Sequence, residues 1–311
     1  MRTRRITAAL LIVGAVAAAG AGCGTGPSRV DAAAIVGQES IPLATVQPAI
    51  TSVLARPGLV DGLKSQGGSE ADIGRAVVSQ LVIRDLLDLA GPELGVTVTD
   101  QQVEQAIAQQ GGAEAVEASS LSVGGPQAAT RDELALAAIA RSELPRLSVT
   151  ADVAVAQDRA QAATLAREVA AGGQRAETAL AGAGTTQRGL AIRPAETPQA
   201  ALTPLIGIPA GWVAAFPLGS GQGWVVVRVT QRTVADAAPA GPASEAIARL
   251  DRQSLTEAGI RLLTPTALRT GVELNPRYGV WDPIQMLAVP GAEQASVVSP
   301  VAAGTPTPPA G

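Results

Sequence analysis

The sequence predicts a mainly α-helical protein with a small β component, and three observations carry that reading. Alanine, glycine and valine dominate the 311 residues, only 2% of them are aromatic, and apolar residues recur at helical spacing in several long segments. Small side chains suit closely packed helices, and the glycines punctuate them with turns. The length suits roughly two domains, with enough chain for a sizeable core.

The amino terminus reads as a leader. Arg2, Arg4 and Arg5 precede an uncharged run from Ile6 to Gly22 built of Ala, Leu, Ile, Val and Gly, the layout of a secretory signal. A membrane-spanning anchor is the alternative, but a run of about seventeen residues ending in Gly and Ala is short for a bilayer. Gly20-Ala21-Gly22-Cys23 resembles a bacterial lipobox, with Gly20 where the pattern has Leu. The resemblance implies a signal peptide over 1–22, lipid attachment at Cys23 and a tether over 23–30. A free extracytoplasmic thiol is the other reading of Cys23. The twin-arginine echo in Thr3-Arg4-Arg5 lacks its apolar residue, because Thr7 stands there. Removing the three leader arginines takes the net charge from −4 to about −7.

From Ala32 to Leu54 the pattern is a short strand, a turn at Gly37-Gln38 and a helix opening near Pro42, where a proline costs no hydrogen bond. Residues 56–69 read as a Gly- and Ser-rich loop. Val77, Leu81, Ile83, Leu87 and Leu89 then mark a strongly apolar helix ending before Pro92. Thr99-Asp100 caps the next helix, whose Val103 and Ile107 face inward. Further helices are expected over Asp132 to Leu147, Ala154 to Gly172 and residues 244–264, the second closed by Gly172-Gly173. Residues 208–234 end in a strand of Val and Arg. A strand from Val272 to Asn275 is expected to pair back onto the strand near Ala34 to Gly37, with Tyr278 and Trp281 sealing the helical layer. Residues 286–311 read as a disordered tail, rich in Pro, Gly, Ala and Thr without periodicity.

The strand followed by "IPLATVQPAI" and then "LVIRDLLDLAGPELGVTVTDQQVEQAI" resembles the amino-terminal domain of SurA-type periplasmic chaperones. The match falls on Leu86, Leu87, Ala90, Leu94, Gly95, Val96, Thr99, Asp100, Val103 and Ile107. "GVELNPRYGVWDP" resembles the segment that closes the domain in actinobacterial-looking SurA-type lipoproteins. A second stretch, with Ala160, Leu165 and Gly172 and then Gly223 to Val229, resembles a parvulin-type prolyl isomerase domain. That family relies on sheet histidines, and Val225 stands where the last-strand histidine belongs. The resemblances imply a SurA-like helical domain over 31–149, completed by a C-terminal helix and strand over 240–285. The second resemblance implies a degenerate parvulin-like α+β domain over 150–235 inserted in it.

Composition removes most chemistry. With no histidine there is no Ser-His-Asp or Cys-His catalysis, no imidazole base and no ordinary histidine-containing zinc site. One cysteine allows neither an intrachain disulfide nor a CxxC motif. Lys64 is the only lysine and no basic cluster follows Arg5, so nucleic acid is not an expected partner. Asp85/Asp88 and Glu168/Glu177 read as solvated helix faces rather than acid/base pairs, and Asp132/Glu133 lacks calcium-loop spacing. "GSGQG" does not open a helix after a strand, against a phosphate cradle. Arg277 as a ligand contact is the weaker reading of its segment. No catalytic residue, cofactor or metal is assigned.

The resemblance to SurA-type proteins implies a non-catalytic, membrane-anchored extracytoplasmic lipoprotein that binds unfolded or extended polypeptides through an apolar groove between helices. The alternative is a parvulin-type prolyl isomerase with a histidine-free site.

Overall fold

A tight hairpin begins the fold of this computed structural model, which describes residues 30–65, 67–119, 121–219, 223–238 and 242–302. The expected leader, Cys23 and most of the tether lie outside the described residues. Strand β1 (Ala32–Val36) turns at Gly37 into β2 (Glu39–Pro42). Gly37 has a φ of +60°, and a Cβ there would stand 2.7 Å from the Thr270 methyl, so the turn needs glycine twice over.

Six helices follow: α1 (Leu43–Leu54), α2 (Pro57–Ser65), α3 (Glu70–Glu93), α4 (Asp100–Gln109), α5 (Ala113–Ser119) and α6 (Pro126–Glu143). The Thr99 cap of α4 is a reciprocal box, in which Thr99 N donates to Gln102 Oε1 at 2.8 Å and Gln102 N donates to Thr99 Oγ1 at 3.3 Å. Three boundaries depart from the sequence pattern. Residues 56–69 are not all loop, because Val60 is buried and Leu59 and Leu63 pack on the core, which outweighs the glycines of α2. Helix α3 runs through Pro92 instead of stopping before it. Helix α6 starts at Pro126, six residues early, with the buried Ala129 and Thr130 in its opening turns.

The chain then forms β3 (Leu147–Ala156), α7 (Arg159–Ala170), α8 (Gly173–Gly182), β4 (Thr185–Ile192), β5 (Trp212–Pro217) and β6 (Trp224–Val234). Residues 154–156 are strand, not the start of a helix. Ala154 and Ala156 are buried toward α7 and α8 while Val155 points to the other face, and the helix waits for the Asp158 cap, whose Oδ1 accepts from Gln161 N at 2.8 Å. The helix expected over 244–264 is two, α9 (Pro242–Ala248) and α10 (Arg252–Leu262), divided where Asp251 caps Ser254 N at 2.7 Å.

After α11 (Thr264–Thr270), β7 (Val272–Leu274) returns to β1, with Ala34 opposite Leu274 and Val36 opposite Val272. The amino-terminal sheet is therefore ordered β2-β1-β7. The tail expected to be disordered from residue 286 is instead ordered to residue 302. Strands β8 (Val280–Asp282) and β9 (Leu287–Val289) make a hairpin, and β10 (Val297–Pro300) pairs with β5 to complete the order β10-β5-β6-β3-β4. Met286, Ala288 and Val289 are buried, so this segment has a packed face that its composition hides.

One face of the larger sheet packs on α7 and α8 through Ala162, Ala166, Val169, Ala176 and Leu180. Its other face, with Phe216, Val225 and Val227, belongs to the same buried cluster as α3 and α6. Helix α10 makes that junction at close quarters. A Cβ on Gly259 would lie 2.2 Å from the Leu136 carbonyl oxygen, and one on Gly207 would lie 2.0 Å from that of Arg261. The architecture is mainly helical, with a small α+β region sharing its core.

Candidate functional site

Helix α3 presents Asp72, Ala76, Gln80 and Ile83 at helical spacing along one side. Opposite stand Ala129, Glu133 and Leu136 of α6, with Thr256 and Ile260 of α10, and Met286 to Ala288 close the end. These walls enclose a largely apolar cleft of about 420 Å³. It shares Asp72, Ala76 and Leu121 with a second apolar cleft of about 480 Å³ under α2. That one shares Gly58, Leu59 and Ala118 with a third, of about 460 Å³, which reaches Glu114 and Glu117 of α5. Together they form one groove from β9 to α5, a shape suited to an extended chain.

Its polar groups are mostly fixed. The Ser69 hydroxyl and amide donate to Asp72, and Arg75 Nη2 donates to its Oδ1 at 2.5 Å, which together hold that carboxyl down at about 2. Arg84 on α3 pairs with Asp132 on α6 at 2.7 Å and donates to the Val123 carbonyl. Burial nonetheless pushes the carboxyls of Asp132 and Glu133 up. Ser79 fastens the end wall, since its hydroxyl accepts from Ala288 N at 2.8 Å and donates to the Arg75 carbonyl at 2.7 Å.

The carboxylate pairs singled out in the sequence are placed differently. Burial first, then the neighbouring Asp88 charge, pushes Asp85 up to about 6. Glu168 pairs with Arg175, and Glu177 bridges Arg188 and Arg228, which also holds the buried Asp152 at 2.6 Å. These acids tie α7, α8 and the sheet together. Among the described residues no group of three potential ligands is arranged to hold a metal ion. Gly219 and Gly223 begin and end the "GSGQG" connector, with Leu218 N donating to Gly223 O, and β6 rather than a helix follows. Arg277 is exposed beside the Tyr278 ring, 5.6 Å from its centroid. Val225 lies buried between Val155 and Phe216 in the sheet.

The "NPRYGVWD" run works as a clasp. Asn275 Nδ2 donates to the Ala32 carbonyl at 3.1 Å, Gln47 Nε2 donates to the Tyr278 hydroxyl at 2.9 Å, and a Cβ on Gly279 would collide with the Val289 carbonyl at 2.0 Å. Asp282, fully buried, accepts from the backbone amides of Ile284, Gln285 and Ser296 and from the side chains of the last two. No local pattern singles out Ser79 or Met286, and for Asp282 the one local signal is an acid followed by Pro in an aromatic segment.

Residues 1–113 match the family model described as the SurA-like N-terminal domain. Over these residues the chain is similar to a SurA-type N-terminal domain. No curated protein matches the chain. The SurA-type segment supplies β1, β2, α1 to α4 and the α3 side of the groove; α6, α10 and β9, from beyond it, supply the rest. A SurA-like N-terminal domain suggests a chaperone-type role outside the cytoplasm. No helix among the described residues is long and apolar enough to cross a membrane.

Proposed function

We propose that this protein is a lipid-anchored extracytoplasmic chaperone-like module that binds unfolded or extended polypeptides without catalysis. The groove between α3, α6, α10 and β9 is the observation that carries this reading, because its walls are apolar and it continues under α2 over the length of the SurA-type helices. Cys23, as the first residue after the leader, holds the protein at the membrane. Residues 150–235 serve as a degenerate parvulin-like domain. Their succession of strand, two helices and three strands in one antiparallel sheet supports that view, as does the apolar Val225 where a histidine would act.

The test sets two assays side by side. Near-stoichiometric protein is expected to suppress aggregation of a denatured secreted protein, while protease-coupled proline isomerisation runs at background. Turnover well above background would replace this reading with a histidine-free isomerase.

A further inference from the structure

The charges lining the groove are unequally spent. Its two lining arginines are engaged: Arg75 by Asp72, and Arg56 by the Glu117 and Leu121 carbonyls and, at 3.9 Å, by the Glu117 carboxylate. Asp132 is held by Arg84. Glu133, at the β9 end, and Glu114, at the α5 end, make no hydrogen bond or ion pair among the described residues. Arg252 favours the ionised form of Glu133 without closing to an ion pair. Between the two glutamates the floor is apolar, formed by Leu59, Leu63, Ala76 and Leu121. No lysine lines any part of it.

We infer that the groove selects extended client segments in which an apolar stretch is flanked by basic residues, the apolar part lying over Ala76 and Leu121 and the flanking cations meeting Glu133 and Glu114. The inference rests on the groove being the client site. An acidic flank would meet carboxylates at both ends, with both lining arginines already engaged, so the discrimination is repulsive as well as attractive. Exposed pairs are individually weak, but two of them with the sign reversed amount to about tenfold in affinity at low salt.

The test uses fluorescence anisotropy with short labelled peptides of one apolar sequence flanked by lysine, by glutamine or by glutamate. The lysine peptide is expected to bind about tenfold tighter than the glutamate peptide, with glutamine between, and the spread to narrow as salt is raised. In the double variant Glu114→Lys/Glu133→Lys the order is expected to reverse. Ala76→Trp, which fills the middle of the groove, is expected to abolish binding of all three. Equal affinities with Ala76→Trp still blocking would overturn the charge selection and leave the groove standing. Binding that Ala76→Trp does not touch would remove the groove itself as the client site.

Discussion

The Ser79 hydroxyl and the Ala288 amide meet at 2.8 Å, joining the long helix α3 to a strand more than two hundred residues away in the chain. Both residues are buried. In Ser79→Ala the Ala288 N–H would lose its partner inside the protein, at a cost of about 1–3 kcal/mol. The check is the urea midpoint, with amide exchange expected to speed up at Ala288 before it does in the β1 hairpin.

Asp282 holds the far side of the same hairpin. With its carboxylate accepting three backbone amides in a fully buried site, Asp282→Ala is expected to cost about 3 kcal/mol or more. Asparagine is not a clean rescue, since its amide would turn a donor toward donors. Ser296, one of the donors, leads directly into β10, so limited proteolysis is expected to cut near residue 295 in the variant and not in the parent.

Asp85 makes the stability depend on pH in the opposite direction from Asp72. Its folded-state value of about 6 lies above the ordinary 3.8, so folding favours the protonated form, and ionisation costs stability as pH rises from 3.8 through 6. Asp85→Asn is therefore expected to stabilise the protein above pH 6 and to lose its advantage below pH 4. Discounted for partial solvent screening, the gain is about 1 kcal/mol. Asp72, held at about 2, contributes stability that is present above 3.8 and lost as pH falls toward 2. Thermal melts of parent and variant at a series of pH values read both effects.

The anchor has a direct chemical test. Cys23→Ala is expected to abolish incorporation of labelled fatty acid and to move the protein from the membrane fraction to the soluble fraction. Retention of the variant in the membrane would point to the uncleaved leader as anchor instead.

Features governed by neighbours in sequence were the legible ones. The Thr99-Asp100 start of α4 follows from a local cap, while the pairing of the Val272 to Asn275 strand back onto β1 is a long-range expectation that the fold matches. The end of strand β3 was hidden because Ala154 and Ala156 have good helix propensity and run on into an alanine-rich helix, and it is their burial against α7 and α8 that makes them strand. Helix α2 was hidden by its glycines. The ordered segment over 287–302 was hidden most deeply, since Ser79, Asp282 and Arg159, which hold it, lie outside its own composition. The same holds for the groove. Two of its walls, α3 and α6, read as helices from their apolar spacing, but nothing local says that β9 closes it or that Glu133 faces it.

The most direct test of the client-binding account is hydrogen exchange with and without an unfolded client. Slower exchange is expected at the groove-lining residues of α2, α3, α6 and β9, with the sheet edge β4 unchanged. Protection confined to β4 or elsewhere in residues 150–235, with the groove helices exchanging as before, would contradict it.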